Sequence, residues 1–336
     1  MLSSAVSLAL VLAGGGATDL TELELKAWKK IQPAIVFIMD SESVSGTAAL
    51  ISRDGYFLTH VTAVKGKSIS ARTSDGSMVH LRWIADDEPT QFILLKAENW
   101  SPDIQPLGLV ESDAGSKSLL AITANGPVRA ERAMDTYGIV EPSRRMMRMN
   151  EVRLENNLPS LGGSLLFNLN GQLAGAINGA LEMTPSQNVQ KIRSDGSLVR
   201  QGQGGNSSGQ ALAPKAVGRQ YGPGVMAAAY SINPKVLRRV VAGFLSESHQ
   251  VKHPAIGIMC RDALPQGALI DSVTDGSTAD KAGLKQGDVI YAMDNQAIRN
   301  QIDFAKFMAD QEIGDRLKVW IQRGALRQMI TVEVGT

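Results

Sequence analysis

Cysteine is almost absent from these 336 residues. Cys260 stands alone, which excludes an internal disulfide framework and any zinc site built on clustered cysteines. A single thiol of this kind is expected to be buried and inert. Charge of one sign is lacking too: the formal net charge is +1. That argues against nucleic acid as the main partner, because phosphate binding leaves a basic face and a high isoelectric point. Long apolar runs are also wanting. The longest, Ala5 to Ala13 in "MLSSAVSLALVLAGGGATDL", falls short of the roughly 20 residues that cross a bilayer. The small residues after it resemble a signal-peptide cleavage region, although no Lys or Arg precedes the run. Residues 1–17 are therefore expected to be an export leader, with the protein periplasmic or in the cell envelope.

What is present is ordinary globular material, 43% hydrophobic and 20% charged, in a chain long enough for two domains. Thr18-Asp19 offers a helix start before "LTELELKAWKKI", and Pro33 a stop. Short β-branched or alternating runs follow at Ile35–Met39, Thr47–Ser52, Tyr56–Thr59, Ser68–Thr73, Gln91–Leu95, Leu119–Thr123, Tyr137–Val140 and Gln172–Ile177. Many short strands at such intervals predict an all-β barrel or sandwich. Asp54-Gly55, Asp75-Gly76 and Asn170-Gly171 are its hairpin turns.

From 178 to 224 the chain is rich in Gly, Ser and Gln without apolar periodicity, which predicts a disordered insertion. Order returns with a strand and a helix opening at Asn233-Pro234. A first domain over 18–246 and a second over 253–336 follow. The second alternates short strands with two helices and closes at the C-terminus.

In the second domain "ADKAGLKQGDVIYAMDNQAI" repeats, nearly letter for letter, a run typical of PDZ domains. In the first, "WKKIQPAIVFI", "SGTAALISRDGYFLTHVTAV" and "GGSLLFNLNGQLAGAI" keep the order and spacing of a trypsin-like framework. Over 28–246 the chain resembles the protease domain of the HtrA/Deg family, and over 253–336 the PDZ domain that follows it there. The resemblance implies a mostly-β fold: a chymotrypsin-like double β-barrel, then a PDZ domain built as a β-sandwich with two helices. It implies neither cofactor nor metal.

The family's activity is serine-type endopeptidase, and its triad needs a hydroxyl nucleophile, an imidazole base and a carboxylate that holds the imidazole's tautomer. Aligned on the flanking motifs, the histidine falls on Thr62, the acid on Gln91, and the serine on Gly162 or Leu161. His60 is the nearest imidazole, but an offset of two along a continuing strand moves a side chain by roughly 6–7 Å, outside the contact that general-base catalysis needs, unless a local bulge re-aims it. Ser160 and Ser164 flank the glycine pair and are expected to bond local backbone. A site stripped of its triad keeps at most roughly 10³–10⁴-fold catalysis over water. The expectation is a pseudoprotease with no catalytic residue.

The resemblance places peptide binding at the PDZ domain. Backbone N–H groups around Ile256, Gly257 and Ile258 would capture a terminal carboxylate, the strand from Ile258 would pair with the ligand, and Phe304, Phe307 and Met308 are candidates for the apolar pocket. The run Ser143–Asn150, "SRRMMRMN", lies where the family carries a mobile activation segment, and is read as a solvated basic face over packed methionines. Three functions remain open: an adaptor, scaffold or chaperone-like binder of peptides and protein C-termini; an active protease using non-standard residues; and an architectural or regulatory subunit, in a homo-oligomer or in a mixed oligomer with an active HtrA-like protease.

Overall fold

The computed structural model describes residues 20–140 except 42, 65, 67, 101, 102 and 112–116, then 143, 145–154, 163–180, 190–192, 198–199 and 227–336. The expected leader over 1–17 lies outside them, as do most of 178–224 and the loop positions Ser160, Leu161 and Gly162.

Helix α1 (Glu22–Ile31) starts after Thr21, later than Thr18-Asp19 would have it, with Thr21 as its N-cap. Its hydroxyl caps Glu24 N–H, while the Glu24 carboxylate takes the Thr21 N–H at 2.7 Å. This reciprocal box satisfies two orphan donors at once. Pro33 then ends the helix in a short 3₁₀ turn.

The first barrel closes in the order β1 (Ile35–Asp40), β2 (Ser43–Ser52), β3 (Tyr56–His60), β6 (Phe92–Ala97), β5 (Met78–Asp87) and β4 (Ser68–Thr73). Asp-Gly hairpins join β2 to β3 and β4 to β5, with Gly55 and Gly76 at φ of 79° and 92°, values that favour glycine. Alternation turns Val36, Ile38, Leu50, Phe57, Ile69, Leu81 and Leu95 inward. Each such side chain, fully buried, contributes about 1.5–3 kcal/mol.

The second barrel is the ring β7 (Ser118–Thr123), β8 (Gly126–Val140), β9 (Met146–Leu154), β14 (Ala227–Ile232), β11 (Leu173–Ala180) and β10 (Leu165–Asn168), closed by the β8–β9 pairing. Two segments are more regular than the sequence suggested. The methionine run is a barrel strand in which Met146, Met147 and Met149 are buried, because β9 pairs with a neighbour on both sides and has no open edge. Inside the expected disordered insertion, β12 (Gln190–Ile192) pairs in parallel with β8, and β13 (Leu198–Val199) pairs with β12. A backbone ladder needs no apolar period, so composition did not betray it. Asn233 caps helix α2 (Pro234–Phe244), with proline in the first turn as expected.

The chain divides into two compact units, one running to Arg144 and over Met149–Val251, the other Lys252–Thr336 with Arg145–Arg148. The second carries the sheet β15 (Ile258–Asp262), β16 (Ala268–Val273), β17 (Val289–Met293), β19 (Arg316–Arg323) and β20 (Leu326–Glu333), with β18 (Gln296–Ala297) on β17. Helices α3 (Thr278–Ala282) and α4 (Gln301–Ala309) complete it. Its own core gathers Ile256, Ile270, Leu284, Ile290, Val319 and Ile321.

Candidate functional site

In the first unit, strand β3 ends at His60 and the chain enters a 3₁₀ turn, Val61–Ala63. The histidine therefore does not continue along the strand. Its fully buried ring turns back, and Nδ1 accepts the Thr62 N–H at 3.3 Å and lies 2.9 Å from Thr62 Oγ1. The expected displacement of His60 from residue 62 is thus corrected: the turn brings the two side chains together.

A backbone N–H only donates, so Nδ1 is the acceptor and the ring proton of the neutral imidazole sits on Nε2. A triad histidine holds the opposite tautomer, with Nδ1–H on a carboxylate and Nε2 bare. Burial also lowers the His60 pKa to about 4. In the strand row β3–β6–β5 its neighbour is Phe92, and Asp87 comes only after Phe92. The Phe92 ring meets the imidazole edge-on at 6.2 Å.

Gln91 stands beside this turn: its carbonyl accepts the Val61 N–H at 2.9 Å. It adopts a left-handed φ of 61°, uncommon for a side chain with a Cβ. Its amide Nε2 donates to Glu88 O at 2.6 Å, which commits it to its own turn. Gly163 approaches from the second barrel at φ 78°, and a Cβ there would lie 2.9 Å from Thr62 Oγ1 and 3.4 Å from the His60 Cβ. Positions 62, 91 and 163 therefore lie close together, while Leu161 and Gly162, the positions the motif alignment gives the serine, are outside the described residues. Ser164 is buried beside them and its carbonyl accepts the Ile177 N–H. No group of three or more His, Cys, Asp or Glu side chains able to hold a metal occurs among the described residues.

In the second unit, β15 is the edge of the sheet. Thr274 N–H bonds Gly257 O, and Ala263 N–H bonds Gly267 O. The pairs Ile258↔Val273 and Asp262↔Ala268 are therefore non-hydrogen-bonded ones. Cys260 faces Ile270, whose N–H and C=O are taken by Asp288 and Gly287 on its other side. The backbone N–H and C=O of Ile258, Cys260 and Asp262 consequently point away from β16, to the open edge.

Gly257 holds φ 81°, and a Cβ there would collide with Ser277 at 2.3 Å, so the loop entering β15 requires glycine. Ile256 is buried and Ile258 half-buried. On α4, Phe307 is a core residue at 7% exposure, while Phe304 and Met308 are half-buried at the margin of the same core. Asp262 fastens the start of α4 by accepting Gln301 N–H at 2.8 Å. The Cys260 thiol is pushed up to about 12 by burial and by Asp271, so it stays protonated.

Residues 254–334 match the PDZ domain family. Over 311 residues the chain is 26% identical to a probable periplasmic serine endoprotease, DegP-like, of Pseudomonas putida, which covers 86% of the chain and 56% of that protein. It is 22% identical over 317 residues to the putative serine protease HhoB of Synechocystis, covering 88% of the chain and 67% of the relative. The chain thus spans a little over half the length of the DegP-like relative. Among solved structures, the HtrA-type protease AlgW with a decapeptide superposes with a TM-score of 0.60 at 17% identity, covering 93% of this chain and 98% of that one. The serine endoprotease from Yersinia pestis gives 0.55 at 14%, over 94% and 99%. Fold and domain order define a chymotrypsin-like double barrel joined to a PDZ domain. More narrowly, its relatives and its structural neighbours are HtrA- or DegP-like proteases.

Proposed function

We infer that this is a non-catalytic HtrA-like pseudoprotease that holds extended peptides or protein C-termini at its PDZ domain, as an adaptor, scaffold or chaperone-like protein. The observation that carries the reading is the open edge of β15, where alternate N–H and C=O groups from Ile258 to Asp262 are turned outward. An extended peptide adds to such an edge through main-chain hydrogen bonds. Ile256, Gly257 and Ile258 would receive a terminal carboxylate, and Phe304 and Met308, with Phe307 behind them, would receive the apolar side chain. The absence of catalysis rests on Thr62, Gln91 and Gly162 or Leu161 at the triad positions, and on the His60 tautomer. Export to the periplasm or cell envelope rests on the apolar leader and on the word periplasmic in the relatives' names. No helix among the described residues is long and apolar enough to cross a membrane.

The test exposes the full chain to an array of C-terminal peptides, each paired with its amidated form. Micromolar binding that amidation abolishes is expected, and an array without a binder overturns the reading. A second reading, an active endopeptidase, draws on Thr62 Oγ1 lying within hydrogen-bond reach of His60. Against it, a base with a pKa near 4 gains little from removing a hydroxyl proton. Casein and a fluorophosphonate probe separate the two. No turnover and no labelling are expected, and labelling lost in Thr62→Ala or Ser160→Ala would establish the enzyme.

A further inference from the structure

The two barrels and helix α1 frame an apolar pocket that has no part in either site above. Alternation along β1 sends Val36 and Ile38 inward and leaves Phe37 and Met39 on the outer face of the first barrel. Trp28 and Gln32 from α1 and its following turn form one wall, and Val44 and Pro127 are also among the lining residues. The space, about 500 Å³ when the open solvent at its mouth is counted, is a cleft and not a closed cavity.

Arg72 sits on the same face, directly across the strand pair from Phe37. It is half-buried and lines the pocket, yet no ion pair or hydrogen bond engages its guanidinium among the described residues. The acid nearest in its turn, Asp75, is occupied by the Thr73 hydroxyl and the Ser77 N–H. An unpaired guanidinium beside an apolar cleft matches a carboxylate attached to an apolar body.

We propose that the pocket walled by Trp28, Phe37, Met39, Val44 and Pro127 binds an unbranched aliphatic carboxylate, its head on Arg72 and its chain against Trp28. The full chain is titrated with decanoate, below the concentration at which it forms micelles, and followed by tryptophan fluorescence, with Trp28→Phe locating the signal. Calorimetry repeats the titration with decanol and with a hexapeptide ending in leucine. Saturable binding of decanoate is expected, weakened roughly tenfold or more by Arg72→Gln, with decanol unaffected by that change and Val44→Trp abolishing both. No saturable binding, binding that survives Val44→Trp, equal losses for decanol and decanoate in Arg72→Gln, or displacement of decanoate by the hexapeptide each overturns the assignment. Arg72→Gln alters only a strand's outer face, so it keeps the test valid where Val44→Trp does not fold.

Discussion

At the scale of single residues, His60 makes the sharpest claim. A ring with a free-state pKa near 6.5 and a folded value of about 4 is held neutral by the fold. Between these values the unfolded chain takes a proton that the native protein refuses, so stability is complete above pH ~6.5 and drains as pH falls toward 4. Two and a half units correspond to about 3 kcal/mol. His60→Asn keeps an acceptor for the Thr62 N–H but does not titrate. Urea midpoints measured from pH 7 to 4 are expected to fall steeply in the wild type and to flatten in the variant; parallel curves would mean that the ring is not buried uncharged.

Gly163 offers a second residue-scale test. Alanine there meets a left-handed φ, costing about 1–2 kcal/mol, and a Thr62 oxygen at 2.9 Å. Gly163→Ala is expected to cost about 2–3 kcal/mol in all, and less in a Thr62→Ala background, where the oxygen is gone. A double-mutant cycle with no coupling would separate the glycine loop from the turn at residue 62.

At the scale of elements, α1 is held by one carboxylate. The Glu24 carboxylate accepts from Arg129 Nε at 2.8 Å and Nη2 at 3.0 Å, and from the Thr21 N–H at 2.7 Å. The Arg129 hydrogen bond leads in lowering its pKa to about 2, with the Thr21 bonds assisting, against desolvation. Stability from this group is present above pH ~4.5 and lost as pH drops to about 2, a window below that of His60. Glu24→Gln is expected to cost about 1–3 kcal/mol at neutral pH and to remove that acid limb, as read by thermal unfolding from pH 5 to 2.

The edge of β15 predicts a pattern in the ligand rather than in the protein. N-methylating the ligand amides that face Ile258 and Cys260 is expected to weaken binding by about tenfold each, and methylating the intervening amides hardly at all. Uniform losses along the peptide would exclude strand addition.

The elements also show what a sequence reveals. The Asp-Gly and Asn-Gly turns and the PDZ run were legible because each is fixed by local spacing. Strand β9 was not: both its edges are paired, its methionines are buried in succession, and no alternation survives to mark it. The reach of His60 was hidden for another reason. A strand extrapolated through Val61 displaces the ring, whereas the 3₁₀ turn that returns it to Thr62 depends on Gln91 accepting the Val61 N–H, a contact 30 positions away in sequence. The α1 cap was ambiguous in the sequence, since Asp19–Glu22 and Thr21–Glu24 both have the spacing of a box, and the fold uses the second.

At the scale of the whole molecule, the proposed division of labour requires the PDZ unit to hold its groove on its own resources. Its core runs from Ile256 to Val334 and recruits only its own residues. The buried Asp288 carboxylate pairs with Arg323 at 2.6 and 2.7 Å, and Ala255 and Gly335 exchange hydrogen bonds that tie the unit's two ends together. A polypeptide of residues 252–336 is near the lower limit at which one core suffices, but it carries these closures within itself. It is expected to unfold in one cooperative step and to bind the same peptides as the full chain within about threefold, since Ile256, Gly257, Ile258, Phe304, Phe307 and Met308 all lie within it. Removing Arg323 by Arg323→Ala leaves Asp288 buried and unpaired, and a loss of about 3–5 kcal/mol should follow. Calorimetry on the fragment and its variant decides the matter: a fragment that melts without cooperativity, or that folds but binds nothing the full chain binds, would assign the groove to both units together.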